Sequence, residues 1–114
     1  MKKNKKIEEL VKNRIVILDG ATGTEFQKRG MPSGVCPEKW CTENPALIAD
    51  IHDAYQKAGA DIVYTCTFGA NRLKLKEFGI TEVRDINMKL ARLAKQAVGN
   101  RAFVAGDIGP TGQF

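Results

Sequence analysis

The side chains best suited to chemistry lie in three short polar segments, each of which follows an apolar run. These segments cover residues 19–24, 65–69 and 106–112. If the apolar runs are parallel strands of one sheet, all three segments lie at its carboxyl edge, where α/β proteins bind ligands. The carboxyl groups of Asp19 and Asp107 would then be neighbours. Such a pair could bind an amine or act in acid–base chemistry.

The first segment, Asp-Gly-Ala-Thr-Gly-Thr, allows two interpretations. In one, Gly20 and Gly23 relieve backbone strain while Asp19 or Thr24 caps a helix. In the other, N–H groups near Gly20 and Ala21 bind a carboxylate, and Asp19 holds an ammonium group. The segment lacks the third glycine of the dinucleotide-binding fingerprint and has no Walker lysine, so nucleotide binding is disfavoured.

The second and third segments also allow a chemical and a structural interpretation. Side chains alternate along a strand, so Thr65 and Thr67 should share one face while Cys66 takes the other. Their two hydroxyl groups, with Asn71, could bind a small polar substrate, although β-branched residues before a glycine turn are also ordinary strand residues. The glycine-rich loop around Asp107 fits a purely structural role equally well.

The cysteines and the single histidine do not form a recognisable catalytic or metal motif. Cys36 and Cys41 are spaced more widely than a common zinc knuckle, and no second pair follows. We therefore expect them, with Cys66, to be small buried hydrophobic residues. His52 is predicted on the flank of a helix rather than as a catalyst. Trp40 either covers a strand-end pocket or anchors its own loop.

These segments need a framework of alternating strands and helices to position them. Helical spacing and unbroken apolar runs predict helices over residues 7–11, 23–29, 45–58, 71–78 and 81–98, and strands over 14–18, 61–65 and 102–108. Asn44 and Thr81 are the predicted helix N-caps, and residues 30–43 are a predicted loop. The order predicts an α/β fold, either a small open parallel sheet or the N-terminal portion, about three β/α units, of a TIM (β/α)8 barrel.

Composition limits the classes of partner. The chain has 114 residues and a net charge of +5, and four of its 18 basic residues are Lys2, Lys3, Lys5 and Lys6. The basicity thus belongs to residues 1–13, a tail and leading helix, while residues 14–114 form the predicted domain. Nucleic acid is not an expected partner; weak polyanion contact through the lysine tail is the alternative. No apolar run suits a membrane helix, and an odd number of cysteines suggests reduced thiols in the cytoplasm.

Five motifs together resemble the beginning of the homocysteine S-methyltransferase family. They cover residues 19–24, 44–45, 51–62, 65–70 and 106–111, in the family's order. Within that family the chain is most similar to the homocysteine-binding barrel of bacterial cobalamin-dependent methionine synthases, of which it looks like an N-terminal fragment. The resemblance implies a (β/α)8 barrel in which zinc takes up the homocysteine thiol as a thiolate. It further implies methyl transfer to that thiol, giving methionine.

The resemblance also assigns roles to residues of this chain. By match, Asp19, Gly20 and Ala21 hold the amino-acid end of homocysteine, Thr65 and Thr67 line the same barrel mouth, and Asp107 is a weaker candidate. The family's zinc-binding cysteines come from late strands that this chain does not include. No catalytic or metal-binding role is therefore expected here, and Cys66 takes a position where relatives commonly have asparagine.

Three further expectations follow from the resemblance and the chain's short sheet. The methyl donor is expected to be methylcobalamin charged from methyltetrahydrofolate, with S-methylmethionine as the alternative. The chain alone is expected to be inactive and, because its sheet has exposed apolar edges, to self-associate. The competing class is a non-catalytic α/β module that binds a small amino acid or a protein partner through the same strand ends.

Overall fold

The computed structural model describes residues 6–113, which contain six helices and two short strands. The helices are α1 (Ile7–Asn13), α2 (Gly23–Lys28), α3 (Pro37–Glu43), α4 (Pro45–Lys57), α5 (Arg72–Lys76) and α6 (Val83–Val98), and the strands are β1 (Ile62–Tyr64) and β2 (Phe103–Ala105). The predicted contact of the lysine tail with a polyanion involves Lys2, Lys3 and Lys5, which lie outside the described residues.

The two strands are parallel, as predicted, and are joined by a helical crossover. Ile62 pairs with Phe103, and Tyr64 pairs with Ala105. The predicted strand over residues 14–18 is wrong in extent: a single parallel bridge joins Leu18 to Ile62. Three backbone hydrogen bonds join this segment to residues 61–62, including Asp19 N–H to the Ile62 carbonyl at 2.9 Å.

The first segment does not continue as a strand because its polar groups bond elsewhere. The N–H of Ile17 donates to the Asp61 carboxylate at 2.9 Å, and Arg14 forms an ion pair with the same carboxylate. Within residues 6–113, the bridge to Ile62 is the only strand pairing of this segment, and Ile15 is 86% exposed. A lone edge segment gains little from extending its pairing further.

The apolar core lies between α4 and α6 and extends onto the strands. Ile48 and Ile51 of α4 pack in one cluster with Leu90 of α6 and Leu75 of α5. These four side chains are fully buried or almost so, as helical spacing predicts for Ile48, Ile51 and Leu90. Helical spacing also predicts Ala54 and Ala58 on the apolar face of α4, but both are exposed, so that face is narrower than predicted.

Three local predictions were wrong. The segment predicted as a loop contains α3, which begins with Pro37 at the first helical position, where its missing N–H is not needed. Asn44 does not cap α4; its side-chain amide instead donates to the Trp40 carbonyl at 2.9 Å, at the end of α3. Thr81 does not cap α6, whose N-cap position belongs to Glu82 without a side-chain cap bond.

No helix in the described part of the chain is both long enough and apolar enough to cross a membrane.

Candidate substrate-binding site at the strand ends

A cleft of about 310 Å³ opens at the carboxyl ends of the strands. Its walls come from the turn after the Leu18 bridge, from the segments that follow β1 and β2, and from α2 and the start of α3. The lining residues are Asp19, Gly20, Ala21, Thr22, Gly23, Phe26, Pro37, Glu38, Tyr64, Cys66, Phe68 and Asp107. Four of the six residues predicted to bind substrate are among them.

Within the described residues, one carboxylate oxygen of Asp19 accepts a hydrogen bond and the other does not. Its Oδ2 accepts a hydrogen bond from the N–H of Tyr64 at 3.2 Å. Its Oδ1 is buried and has no partner among the described residues. Burial, and to a lesser degree the nearby charge of Asp107, raises the pKa of Asp19 above its usual value. A buried acceptor without a donor is costly, so this oxygen is suited to a donor from a ligand.

The turn after Asp19 is kept open by close packing against α4. The hydroxyl of Tyr55 donates to the carbonyl of Ala21. A Cβ atom on Gly20 would lie 3.0 Å from that hydroxyl, so glycine lets Tyr55 approach the turn. The N–H groups of Gly20 and Ala21 take part in none of the hydrogen bonds among residues 6–113, and both residues are exposed. Neither Asp19 nor Thr24 caps α2, whose N-cap is Thr22 without a side-chain cap bond.

Thr65 and Thr67 join the ends of the two strands. Their hydroxyl oxygens lie 2.7 Å apart, and Thr67 donates to the carbonyl of Asp107 at 2.9 Å. The N–H of Asp107 in turn approaches the Thr65 hydroxyl at 3.3 Å. Both threonines are buried and neither is among the residues that line the cleft. Their contacts fix the backbone of Asp107, which lines the cleft together with Asp19.

Glu38 belongs to the site although the sequence patterns did not single it out. It is only 7% exposed, and its Oε1 accepts a hydrogen bond from the N–H of Gly69 at 2.7 Å. The thiol of Cys36 donates to its Oε2 at 3.5 Å. The signal in the sequence was Pro37 followed by an acidic residue, a common helix start that lay inside the predicted loop.

His52 was wrongly predicted on a helix flank, because it is fully buried on the side of α4 that faces Cys66. Its Nε2 lies 4.0 Å from the Cys66 Sγ, and its Nδ1 has no partner among the described residues. Burial lowers the pKa of His52 to about 4 and raises the pKa of Cys66 to about 12, so both are neutral near pH 7. Cys66 also has a left-handed backbone with φ of 61°.

The cysteines of this chain do not fit the zinc site that the resemblance implies. All three are buried free thiols, as expected for small hydrophobic residues. Burial raises the pKa of Cys41 and of Cys36, which opposes the thiolate form that zinc requires. Within residues 6–113, no three His, Cys, Asp or Glu side chains are grouped so that they could hold a metal ion. No chemical step is therefore assigned to zinc on this chain.

Comparison with known proteins identifies the family. The family model for homocysteine S-methyltransferase matches residues 16–114, so the chain belongs to the homocysteine S-methyltransferase family. Among curated proteins, the homocysteine S-methyltransferase of Escherichia coli K12 is 30% identical over 128 aligned positions that include the whole chain. The methionine synthase of Mycobacterium tuberculosis H37Rv is 32% identical over 117 positions and 90% of the chain. The family predicted from the motifs is thus confirmed.

Solved structures agree with this assignment. The homocysteine methyltransferase MmuM from Escherichia coli, crystallised in a metallated form, matches 93% of the chain with a TM-score of 0.77 and 27% identity. Its oxidized form matches with a TM-score of 0.78 and 29% identity over the same share of the chain. The chain spans only 41% of the Escherichia coli enzyme's sequence and 10% of the Mycobacterium tuberculosis methionine synthase. What the structure describes is a small α/β unit similar to part of those proteins.

Proposed function

We propose that a complete protein containing this chain transfers a methyl group to the thiol of homocysteine and forms methionine. This chain supplies part of the homocysteine site. One observation carries the proposal: in a member of the homocysteine S-methyltransferase family, Asp19, Asp107 and the open turn at Gly20 and Ala21 line a single cleft. We further propose that residues 14–114 are a partial homocysteine-binding (β/α)8 barrel, preceded by a tail and leading helix over residues 1–13.

The arrangement of polar groups suits the amino-acid end of the substrate. An ammonium group between Asp19 and Asp107 would donate to the unpartnered Oδ1 of Asp19 and would be attracted by both carboxyl groups. A carboxylate would accept from the unused N–H groups of Gly20 and Ala21. Thr65 and Thr67 would support the site from behind, because their hydroxyl groups hold the backbone of Asp107.

The remaining chemistry belongs to parts of the protein outside this chain. Zinc would supply the activated thiolate, and methylcobalamin charged from methyltetrahydrofolate is the proposed methyl donor. Since the described residues contain no group of metal ligands, we infer that the chain alone is inactive. Its free thiols support a location in the cytoplasm. Its exposed apolar residues, such as Ile15 and Ile108, support self-association, which sedimentation at several concentrations would test.

The substrate site is tested by titrating homocysteine into the chain in a calorimeter. We expect saturable binding that weakens about tenfold or more in Asp19→Asn, because the amide removes the charge opposite the ammonium group. Asp85→Asn is the matched control, since Asp85 is an exposed carboxylate on α6 away from the cleft. Equal affinities of the wild type and Asp19→Asn would contradict the proposed site.

A second candidate is a non-catalytic module that binds a small amino acid, which the missing metal-ligand group within residues 6–113 favours. Turnover separates the two candidates. A longer protein that contains this chain, with zinc and a methyl donor, should form methionine, whereas the 114-residue chain should not exceed the blank. If the longer protein binds homocysteine without zinc and never forms methionine, the module is the better description.

A further inference from the structure

We propose that Glu38 is a positioning residue that fixes the Phe68–Gly69 turn as one wall of the homocysteine cleft. The inference deepens the proposed function and rests on it for the identity of the ligand. The contact itself, a hydrogen bond from a backbone N–H to a buried carboxyl group, does not depend on which ligand binds. No function is predicted for Glu38 from the sequence.

The contact spans two distant parts of the chain. Glu38 lies in the first turn of α3, and Gly69 follows β1. Their hydrogen bond is short, at 2.7 Å from the Gly69 nitrogen to the Glu38 Oε1. A Cβ atom on residue 69 would lie 2.7 Å from the same oxygen, so a larger residue there would push the carboxyl group away. Glycine at this position is what allows the contact.

The carboxyl group of Glu38 is buried against backbone rather than against a cationic side chain. Burying a carboxyl group is unfavourable unless it is well paired, and an apolar residue of similar size would often be as stable. None of the salt bridges within the described range involves Glu38, whose partners there are the Gly69 N–H and the Cys36 thiol. The strongest interaction of this buried group is therefore made with the backbone of one turn.

That turn carries a cleft wall and supports the neighbouring strand end. The side chain of Phe68 lines the cleft although it is 59% exposed, so packing alone does not hold it. The carbonyl of Phe68 lies so close to Gly109 that a Cβ atom there would be 2.2 Å away. Glu38 thus fixes the segment after β1, and that segment in turn contacts the loop that begins at Asp107.

A loose turn would let Phe68 move and would misplace the loop that carries Asp107. Both changes would weaken binding of an amino acid without touching any group that bonds to it. Removing Glu38 should therefore raise the dissociation constant for homocysteine and expose the Gly69 N–H to solvent at the same time. A direct ligand contact would change the dissociation constant alone.

The experiment compares Glu38→Ala with the conservative variant Glu38→Gln, whose amide oxygen can still accept from Gly69. We measure the dissociation constant for homocysteine by calorimetry and hydrogen exchange of the Gly69 amide by NMR. In Glu38→Ala both binding and amide protection should fall by about tenfold or more, because the Gly69 N–H is left without its acceptor. In Glu38→Gln both should stay within about threefold of the wild type. Glu43→Ala, an exposed position on the same helix, is the matched control.

Gly69→Ala is an independent test of the contact, because its Cβ displaces the Glu38 carboxyl group. This variant should weaken binding as Glu38→Ala does, and the double variant should be no worse than the more affected single one. Unchanged Gly69 exchange in Glu38→Ala, or equal loss of binding in Glu38→Gln and Glu38→Ala, would overturn the proposal. If Glu38→Ala does not fold, Glu38→Gln and Gly69→Ala still test whether Glu38 positions the turn. If even the wild type does not bind homocysteine, the proposed function fails, and amide exchange alone decides the role of Glu38.

Discussion

The contact between α4 and α6 is apolar and buried, whereas the cleft at the strand ends is lined by three carboxyl groups. In the layer formed by α4 and α6, the helical layer, Ile51 and Leu90 are buried, and their burial stabilises the fold in proportion to the apolar area removed from water. In the cleft, Asp19 keeps a buried oxygen unsatisfied and Cys66 adopts a left-handed backbone. The contrast indicates that folding free energy comes from one region while the other retains the unsatisfied groups that a ligand could use.

His52 lies where the two regions meet. It is on α4 with the apolar residues, yet its ring faces Cys66, which lines the cleft. Its ring is buried and has one nitrogen without a partner among the described residues. It shares that property with Asp19 in the cleft and not with the apolar side chains of the helical layer. Changes in the helical layer should therefore affect stability strongly, changes in the cleft should affect ligand binding more than stability, and His52 should make stability depend on pH.

The largest effect is expected in the helical layer. Leu90→Ala should lower the free energy of unfolding by about 2–5 kcal/mol, because it removes apolar contacts and leaves a cavity in a close-packed region. Urea denaturation followed by circular dichroism measures the change. Met88→Ala on the same helix, at an exposed position, should change stability by less than about 0.5 kcal/mol. Similar losses in both variants would show that this layer is not the main source of stability.

The next effect is a loss of stability in mild acid. His52 has a folded pKa of about 4, below its ordinary value of 6.5, so only the unfolded chain binds a proton between these values. Stability is therefore fully present above pH 6.5 and falls as the pH drops towards 4, by roughly 3 kcal/mol for His52 alone. Asp19 opposes this change, because its raised pKa makes the folded state take up a proton before the unfolded chain does.

The pH effect is checked by urea denaturation at several pH values. His52→Leu should show a clearly smaller loss between neutral and acidic pH, whatever its stability at neutral pH. Identical slopes for the wild type and His52→Leu would assign the acid sensitivity to other groups. The slope is the useful quantity, because the substitution also changes packing in the core.

The difference between the two regions also explains what could be predicted from the sequence. The helices α4 and α6 were predictable because their packing repeats every three or four residues within one continuous segment. Their caps were not, because the Asn44 side chain bonds to the Trp40 carbonyl, a choice that depends on the preceding helix. The strand over residues 14–18 was over-predicted because an apolar run does not reveal whether a neighbouring strand is there to pair with it.

In the cleft, the residues set by topology were predictable and those set by long-range contacts were not. Asp19 and Asp107 follow parallel strands, and the general rule for such strands places them at one edge. Glu38 contacts Gly69 across 31 positions, and the buried His52 approaches Cys66, 14 positions away. Neither contact leaves a periodic pattern in the sequence. The resemblance to a family supplied the ligand, which no local pattern specified.

A smaller effect on stability, with a larger one on binding, is expected at the strand ends. Gly109→Ala places a Cβ atom 2.2 Å from the carbonyl oxygen of Phe68, and a backbone atom cannot swing aside as a side chain can. We expect a loss of about 1–3 kcal/mol from local overpacking, together with weaker homocysteine binding. Gly106→Ala is the matched control, since a Cβ atom at that position would have nothing within 4 Å among the described residues. Equal effects of the two substitutions would show that the two strand-end segments are not packed tightly together.

The smallest effect should come from Cys66→Asn, because the backbone conformation at this position favours asparagine whereas its burial disfavours it. Asparagine tolerates a left-handed backbone better than most residues, but its amide must replace a buried thiol. Cys66→Asn should therefore change the free energy of unfolding by less than about 1 kcal/mol. Cys66→Val, which puts a β-branched residue at φ of 61°, should cost roughly 1–3 kcal/mol. Cys41→Val, at a buried helical position with ordinary backbone, should cost less than Cys66→Val. If the two valine variants are equally stable, strain at Cys66 is not what distinguishes the cleft from the helical layer.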